Sequence, residues 1–190
     1  MEPVTLTTPR LTLRPVGRQD TDAVYAAAQD PDIQRWTTIP SPYLAEHARS
    51  FAEELVPDGW ATGSVFTFGL FLPEGELVGM IGLMMRALGT AEIGFWATKE
   101  HRRQGYVAEG TLAVARWAFT VLAVDRLEWR AEVGNAASRA VAVRVGFAME
   151  GVLRSAINHG GVRRDCWVGS LLPSDLGLRS TAPYLPAPSA

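Results

Sequence analysis

The segment Arg102-Arg103-Gln104-Gly105-Tyr106-Val107 collects residue types that hold an anion. It follows a short apolar run and opens a stretch of helical period. The first turn of a helix carries backbone N–H groups without internal partners, at the positive end of the aligned peptide dipoles. Several such groups aimed at one point bind phosphate. Gly105 lets the backbone come close where a Cβ would clash, and Arg102 and Arg103 add charge. The chemistry is that of a diphosphate cradle. From spacing alone, a surface turn with a capping glycine and solvated arginines accounts for the same residues.

Two more polar groups stand near strand ends. Glu92 lies beside Ile93 and Phe95, and a carboxylate in so apolar a setting is suited to taking a proton. A solvated edge glutamate is the plain alternative. Asn135 and Ser138 are three apart at the start of a short helical stretch, so both belong to one helix N-terminus. Helix capping alone favours both residue types there.

The elements that must position these groups can be read from the apolar period. Leu11 and Leu13 mark a first strand. Asp20 or Thr21 caps a helix to about Gln29, which Asp30-Pro31 should stop. Ser41-Pro42 resembles a helix start, with Leu44, Ala48, Phe51 and Leu55 at helical spacing and Pro57-Asp58-Gly59 as its end. Strands are expected over 65–72, 77–85 and 92–98, joined by short turns as an antiparallel meander. A helix over 105–123 follows, with Val107, Thr111, Val114, Ala118, Val121 and Leu122 on one stripe. A strand over 127–133, a helix over 136–145 and a hairpin of 152–158 with 162–171 complete a mixed α+β domain.

Composition narrows the class. The chain has 190 residues, enough for one sizeable core, with 47% hydrophobic and 20% charged residues. A net charge of −2 gives no global attraction for nucleic acid or an anionic membrane. No apolar run approaches a membrane span, and residues 1–15 do not read as a signal peptide. The single cysteine, Cys166, excludes an internal disulfide and suits a reducing cytoplasm. His47, His101 and His159 form no pair at metal-ligand spacing, so no metal is expected. Neither a P-loop nor a dinucleotide Gly-x-Gly-x-x-Gly is present. Trp36, Tyr43 and Trp60 surround the N-terminal helices and could shape a pocket, although large aromatics are usually core.

Taken in order, several pieces of the chain form a set. They are Thr8-Pro9-Arg10-Leu11 with Leu13-Arg14-Pro15, Ala91-Glu92-Ile93-Gly94-Phe95-Trp96, the loop extended to Ala108-Glu109, and Asn135-Ala136-Ala137-Ser138. Val145-Gly146-Phe147 with Glu150-Gly151, and the final hairpin near Asp165, complete it. This set resembles the Gcn5-related N-acetyltransferase (GNAT) superfamily, nearest its RimJ/RimL-like branch, over residues 5–175. The loop is similar to that family's Arg/Gln-x-x-Gly-x-Gly/Ala signature. Val107 departs from it, and a branched side chain there would narrow the approach to phosphate. Lys99 and Arg103 also depart from the family's usual proline and glycine.

The resemblance implies a single-domain acyl-CoA N-acyltransferase fold, with a mostly antiparallel mixed sheet flanked by helices and splayed strands holding CoA. Acetyl-CoA would be the co-substrate. Phe95, Trp96 and Ala97 would contact its pantetheine arm. Arg102, Arg103, Gln104, Gly105, Tyr106, Val107 and Ala108 would hold its pyrophosphate. Asn135 would orient the arm, Ser138 would donate to the departing thiolate, and Glu92 would take the amine's proton directly or through water. The acceptor would be a primary amine, on a small molecule or a protein N-terminus. A larger acyl group such as succinyl, or a non-catalytic CoA-binding module, is the competing reading. The branch also implies a homodimer as a further expectation. Residues 176–190, rich in proline, are expected to form a disordered tail.

Overall fold

A computed structural model gives the fold and describes residues 1–87 and 89–187. The chain opens with β1 (Leu6–Thr7), β2 (Thr12–Arg14), α1 (Thr21–Ala28) and α2 (Pro31–Trp36). A helical stretch follows, made of α3 (Ala45–Ser50), a π turn over Phe51–Leu55 and α4 (Val56–Thr62). Then come β3 (Val65–Phe71), β4 (Leu77–Met85), β5 (Thr90–Ala97) and α5 (Tyr106–Val121). The domain closes with β6 (Arg126–Glu132), α6 (Ala136–Val145), β7 (Ala148–His159) and β8 (Val162–Leu171).

All the strands join one sheet of eight, in the order β1-β2-β3-β4-β5-β6-β8-β7. The expected α+β class and the antiparallel β3-β4-β5 meander are present. The sheet is mixed because β5 and β6 run parallel, joined by the α5 crossover.

Helix α5 packs on the face carrying Leu13, Leu70 and Ile81. A side chain at Gly110 would sit 2.2 Å from Leu70 Cδ2, so glycine is what lets the helix lie so close. Thr111, Val114, Ala115 and Ala118 are buried, whereas Val121, the expected end of the stripe, is exposed. Trp60 is 1% exposed and packs edge-on to Phe66 and Phe68, beside Trp117. It is therefore a core residue. Helices α1 to α3 cover part of the opposite face, where Met80 and Trp96 point toward Val24, Ala28 and Ile33.

Several boundaries differ from the reading of the sequence. Asp30-Pro31 stops α1 but also starts α2: Asp30 Oδ1 accepts from Asp32 N at 2.8 Å, with proline in the first turn. Ser41-Pro42 precedes the next helix, which starts at Ala45. Pro57-Asp58-Gly59 does not end that stretch. Pro57 falls in the first turn after the π turn, where a missing N–H costs least, and Gly63 at φ 68 ends the helix instead. Just before the expected tail, Pro173–Leu176 form a short 3-10 turn that ends at the tail's first residue. Further on, Asp125 Oδ1 accepts from Ser180 Oγ, from N and Oγ1 of Thr181, and from Ala182 N. The tail thus begins with a tether on the α5–β6 corner.

Candidate active site

β5 and β6 pair only from Thr90↔Arg126 to Ile93↔Trp129. Beyond that point β5 continues to Ala97 and β6 to Glu132 without pairing to each other. The other edge of β5 stays bonded to β4 through Gly82↔Gly94, Ile81↔Phe95 and Met80↔Trp96. Gly94, Phe95, Trp96 and Ala97 therefore present one free row of backbone groups at a fork in the sheet. An extended, amide-bearing chain can add there as a strand. The four residues are half-buried, as a slot between strands requires.

Past β5 a 3-10 turn, Lys99–His101, leads into the loop. Arg103 takes φ 62 and Gly105 takes φ 83, both left-handed. Such a backbone gathers successive N–H groups into a concave anion site. Gly105 caps α5 with no side-chain hydrogen bond, so the amides of its first turn stay open. Val107, the departure from the family signature, does not narrow this approach. Its side chain is 7% exposed and turned into the core, where its Cγ2 comes within 3.4 Å of the place a Cβ of Gly79 would occupy.

The cationic partners of the loop differ from those expected. Arg102 is spent on the protein: its Nη1 donates to Asp32 at 2.8 Å and its Nη2 to Asp30. It ties the loop to the start of α2. Two other guanidinium groups reach the cradle. Arg10 Nη2 and Arg144 Nη2 each lie 3.6 Å from where a Gly105 Cβ would stand. Arg10 is held by Glu109, donates to Gln104 O at 3.1 Å, and lies over the Tyr106 ring at 4.6 Å. Burial alone would raise the Glu109 carboxyl, but hydrogen bonds from Thr8 and Arg10 hold it below the usual range. Arg144 is exposed on the last turn of α6. In the sequence Arg10 stands out only as part of the N-terminal motif and Arg144 not at all, because Arg144 lies 39 positions from Gly105 and only the fold brings them together.

At the fork itself, Asn135 Oδ1 accepts from Ser138 N at 3.1 Å and caps α6. Ser138 Oγ accepts from the indole Nε1 of Trp129 at 3.0 Å. Trp129 is 1% exposed and belongs to the last β5–β6 pair. With one lone pair engaged, the hydroxyl keeps its proton free to donate elsewhere. Sequence reasoning missed Trp129, since an interior strand tryptophan reads as core.

Glu92 does not sit in the apolar setting expected of it. Its Oε2 accepts from Arg86 Nη2 at 3.0 Å and lies 4.0 Å from Arg130 Nε. It belongs to a charged row that continues through Glu128 and Arg126 to Glu150. Burial would raise Glu128, but bonds from Arg126 and Arg130 bring it below the ordinary value. By strand alternation Glu92 and Trp96 share the face away from α5. Trp129 pairs with Ile93 and reaches Ser138 on the α5 side. The fork is thus a passage through the sheet, with Ser138 on one side and Glu92 on the other.

A roof covers the Glu92 face. Arg35 of α2 donates twice to Glu132 of β6, at 2.7 and 2.9 Å, and this pairing holds the Glu132 carboxyl below its usual range. Arg35 also stacks on Trp36, at 4.2 Å from the ring centre. Under the roof lies an apolar notch of about 40 Å³, with Ile33, Ile39, Tyr43, Met80 and Trp96 among its walls. Of the three aromatics singled out in the sequence, Tyr43 alone lines it. His101 is a loop residue bonded to Thr98 Oγ1 at 3.0 Å. Cys166 is buried, and burial pushes its thiol up, as suits an inert core residue. No group of residues suited to a metal ion occurs among the described residues.

The sequence matches the acetyltransferase (GNAT) domain family over residues 10–148. It is 29% identical over 171 residues to the uncharacterized N-acetyltransferase p20 of Bacillus licheniformis, covering 88% of this chain and 96% of that protein. It is 33% identical over 89 residues to the ribosomal-protein-serine acetyltransferase of Escherichia coli, covering 46% of this chain and 50% of that one. Mycobacterium smegmatis RimJ, solved with CoA-disulfide, is similar with a TM-score of 0.81 at 23% identity, over 93% of this chain and 92% of that one. At such identity the likeness speaks for the fold. A family match of this length, on a sheet that opens ahead of an uncapped helix, means that the chain belongs to the acetyltransferase (GNAT) family.

Proposed function

We propose that the protein transfers the acetyl group of acetyl-CoA to a primary amine, carried by a protein N-terminus or a small molecule. The observation that carries this is the parting of β5 from β6 at Gly94, directly ahead of the open amides of α5. The residues fit the co-substrate. The free edge of Phe95, Trp96 and Ala97 suits the amides of a pantetheine arm. The amides from Arg103 to Ala108 suit a pyrophosphate, with Arg10 and Arg144 beside them and Arg102 only steadying the loop. Asn135 keeps its Nδ2 free to orient the arm while its Oδ1 caps α6.

The amine enters from the Glu92 face and loses a proton to Glu92, directly or through water. The incoming ammonium competes with the half-exposed Arg86 for that carboxylate. The nitrogen then attacks the thioester carbonyl and a C–N bond forms. As the C–S bond breaks, the sulfur takes a proton from Ser138 Oγ; the second proton shed by the nitrogen passes to solvent, and Ser138 is reprotonated from solvent in turn. A ribosomal protein is the favoured acceptor class, because the E. coli relative is named for acetylating one. The acetyltransferase domain spans 5–175, in a cytoplasmic protein. Exposed Val152, Leu153 and Val162 on the β7–β8 arm favour a homodimer through that arm.

Release of free thiol from acetyl-CoA across a panel of amines tests the reading. Turnover should appear with at least one amine, and Ser138→Ala should lower kcat by about 100-fold with CoA binding retained. Binding of CoA without transfer to any amine would favour a non-catalytic module. Faster turnover with succinyl-CoA would favour the larger acyl group.

A further inference from the structure

The glycines of β3, β4 and β5 fall into two kinds. A Cβ at Gly69 would meet the Phe71 ring at 2.6 Å, and one at Gly79 would meet Trp96 O at 2.6 Å. Packing excludes a side chain at both. A Cβ at Gly82 would meet nothing within 4 Å, and one at Gly94 only Met84 Cε at 3.8 Å. Neither Gly82 nor Gly94 has a positive φ, so the backbone asks for no glycine either. Glycine in a strand interior weakens the sheet and often marks a place where a ligand comes close. Neither fold nor packing explains this pair.

The two are cross-strand partners, Gly82↔Gly94. By alternation they share a face with the flanking pairs Met80↔Trp96 and Met84↔Glu92. The result is a patch of bare backbone, bounded by a thioether and an indole at one end and by a thioether and a carboxylate at the other. The distance between the flanking pairs is roughly 13 Å along the strands. Gly94 is the first residue of β5 past its last pairing with β6. The patch therefore lies at the mouth of the fork, on the Glu92 face. Beyond Met80 and Trp96 it leads to the notch walled by Ile33, Ile39 and Tyr43.

We propose that the bare backbone of Gly82 and Gly94 is the seat of the acceptor, and that it selects amines whose nearest substituent is uncharged and apolar. This rests on the acetyl transfer proposed above. The amine nitrogen lies toward Glu92 and the fork, the body of the acceptor lies flat on the two glycines, and its apolar substituent turns toward Met80, Trp96 and the notch. A charged substituent would be stripped of water there without a partner.

The test uses the full chain with Gly82→Val and Gly82→Ala, on β4 and so away from the free edge of β5. Both side chains suit a strand at least as well as glycine, so melting temperatures should equal or exceed the parent's. Stabilisation by CoA should match the parent's. With the parent's best amine, Gly82→Val should raise KM or lower kcat/KM by at least about tenfold, with Gly82→Ala intermediate. On short peptides differing only in the first residue, the parent should prefer Leu or Met over Asp or Lys by about tenfold. Unchanged kcat/KM in Gly82→Val would overturn the seat, and so would a loss of CoA stabilisation equal to the loss of turnover. A preference for charged first residues would overturn the selectivity. A parent that acetylates no amine at all refutes the proposed function itself, a different result from an active parent indifferent to Gly82.

Discussion

Two helix N-termini border the fork, and they are finished in opposite ways. Helix α6 is closed by its own residue, with Asn135 Oδ1 on the Ser138 amide. Helix α5, the longer, begins at a left-handed glycine with no side-chain cap. Orphan amides at a helix start cost stability unless something accepts from them. The protein satisfies α6 internally, at the Ser138 amide, and leaves α5 open, where the proposed pyrophosphate would accept. Two guanidinium groups wait beside the open terminus.

The contrast can be broken at several points. Gly105→Val should be the most damaging, because a branched residue resists the left-handed backbone by about 1–2 kcal/mol and would swing the amides away. CoA affinity, read by calorimetry, should fall by about 30-fold. Unchanged affinity would mean that the open terminus of α5 is not the cradle. Arg144→Gln should cost about fivefold in the same titration and flatten its salt dependence, since a charge-assisted contact is lost.

At α6 the expected effect is on stability. Asn135→Ala should lower it by about 1 kcal/mol in a urea melt, whereas Asn135→Asp keeps the cap and should not. Any fall in CoA affinity shared by both variants reports the Nδ2 group alone, which sharpens the division between capping and binding. The smallest effect concerns pH. The first turn of α5 carries Glu109, and that of α6 has no acidic residue. Glu109 is lowered in the folded protein from an ordinary 4.5. Its contribution is therefore fully present above that value and lost as pH falls through the lower folded one. Glu109→Gln should flatten the dependence of melting temperature on pH below about 4.5, and an unchanged slope would remove Glu109 from the account.

What the sequence shows well is what local period controls. The stripe of α5, the cap and glycine end of α6, and the short turns of the meander all depend on neighbours within a few residues. Pro31 and Pro57 were misleading because proline breaks a helix interior yet suits a first turn, and the register change ahead of α4 is not a local signal. The candidate site was legible where backbone would carry it, at the left-handed Gly105 and along the free edge of β5. It was less so where side chains decide it. The sequence cannot show that Arg102 finds Asp30 and Asp32, that Arg10 and Arg144 replace it at the cradle, or that Glu92 has arginine neighbours. Each of these pairings closes across the fold, except Arg86 with Glu92, which spans one tight turn.

Helix α2 is only six residues long, yet it is pinned near its start by Arg102 of the donor loop and near its end through Arg35 to β6. It acts as a crossbeam between the two banks of the fork. Load applied at one bank is therefore felt at the other. Cutting the Arg102 joint would slacken the donor cradle and the acceptor roof together. A phenotype that looks like a lost phosphate contact would then come from a beam that has dropped, and weaker capture of the amine would reveal it.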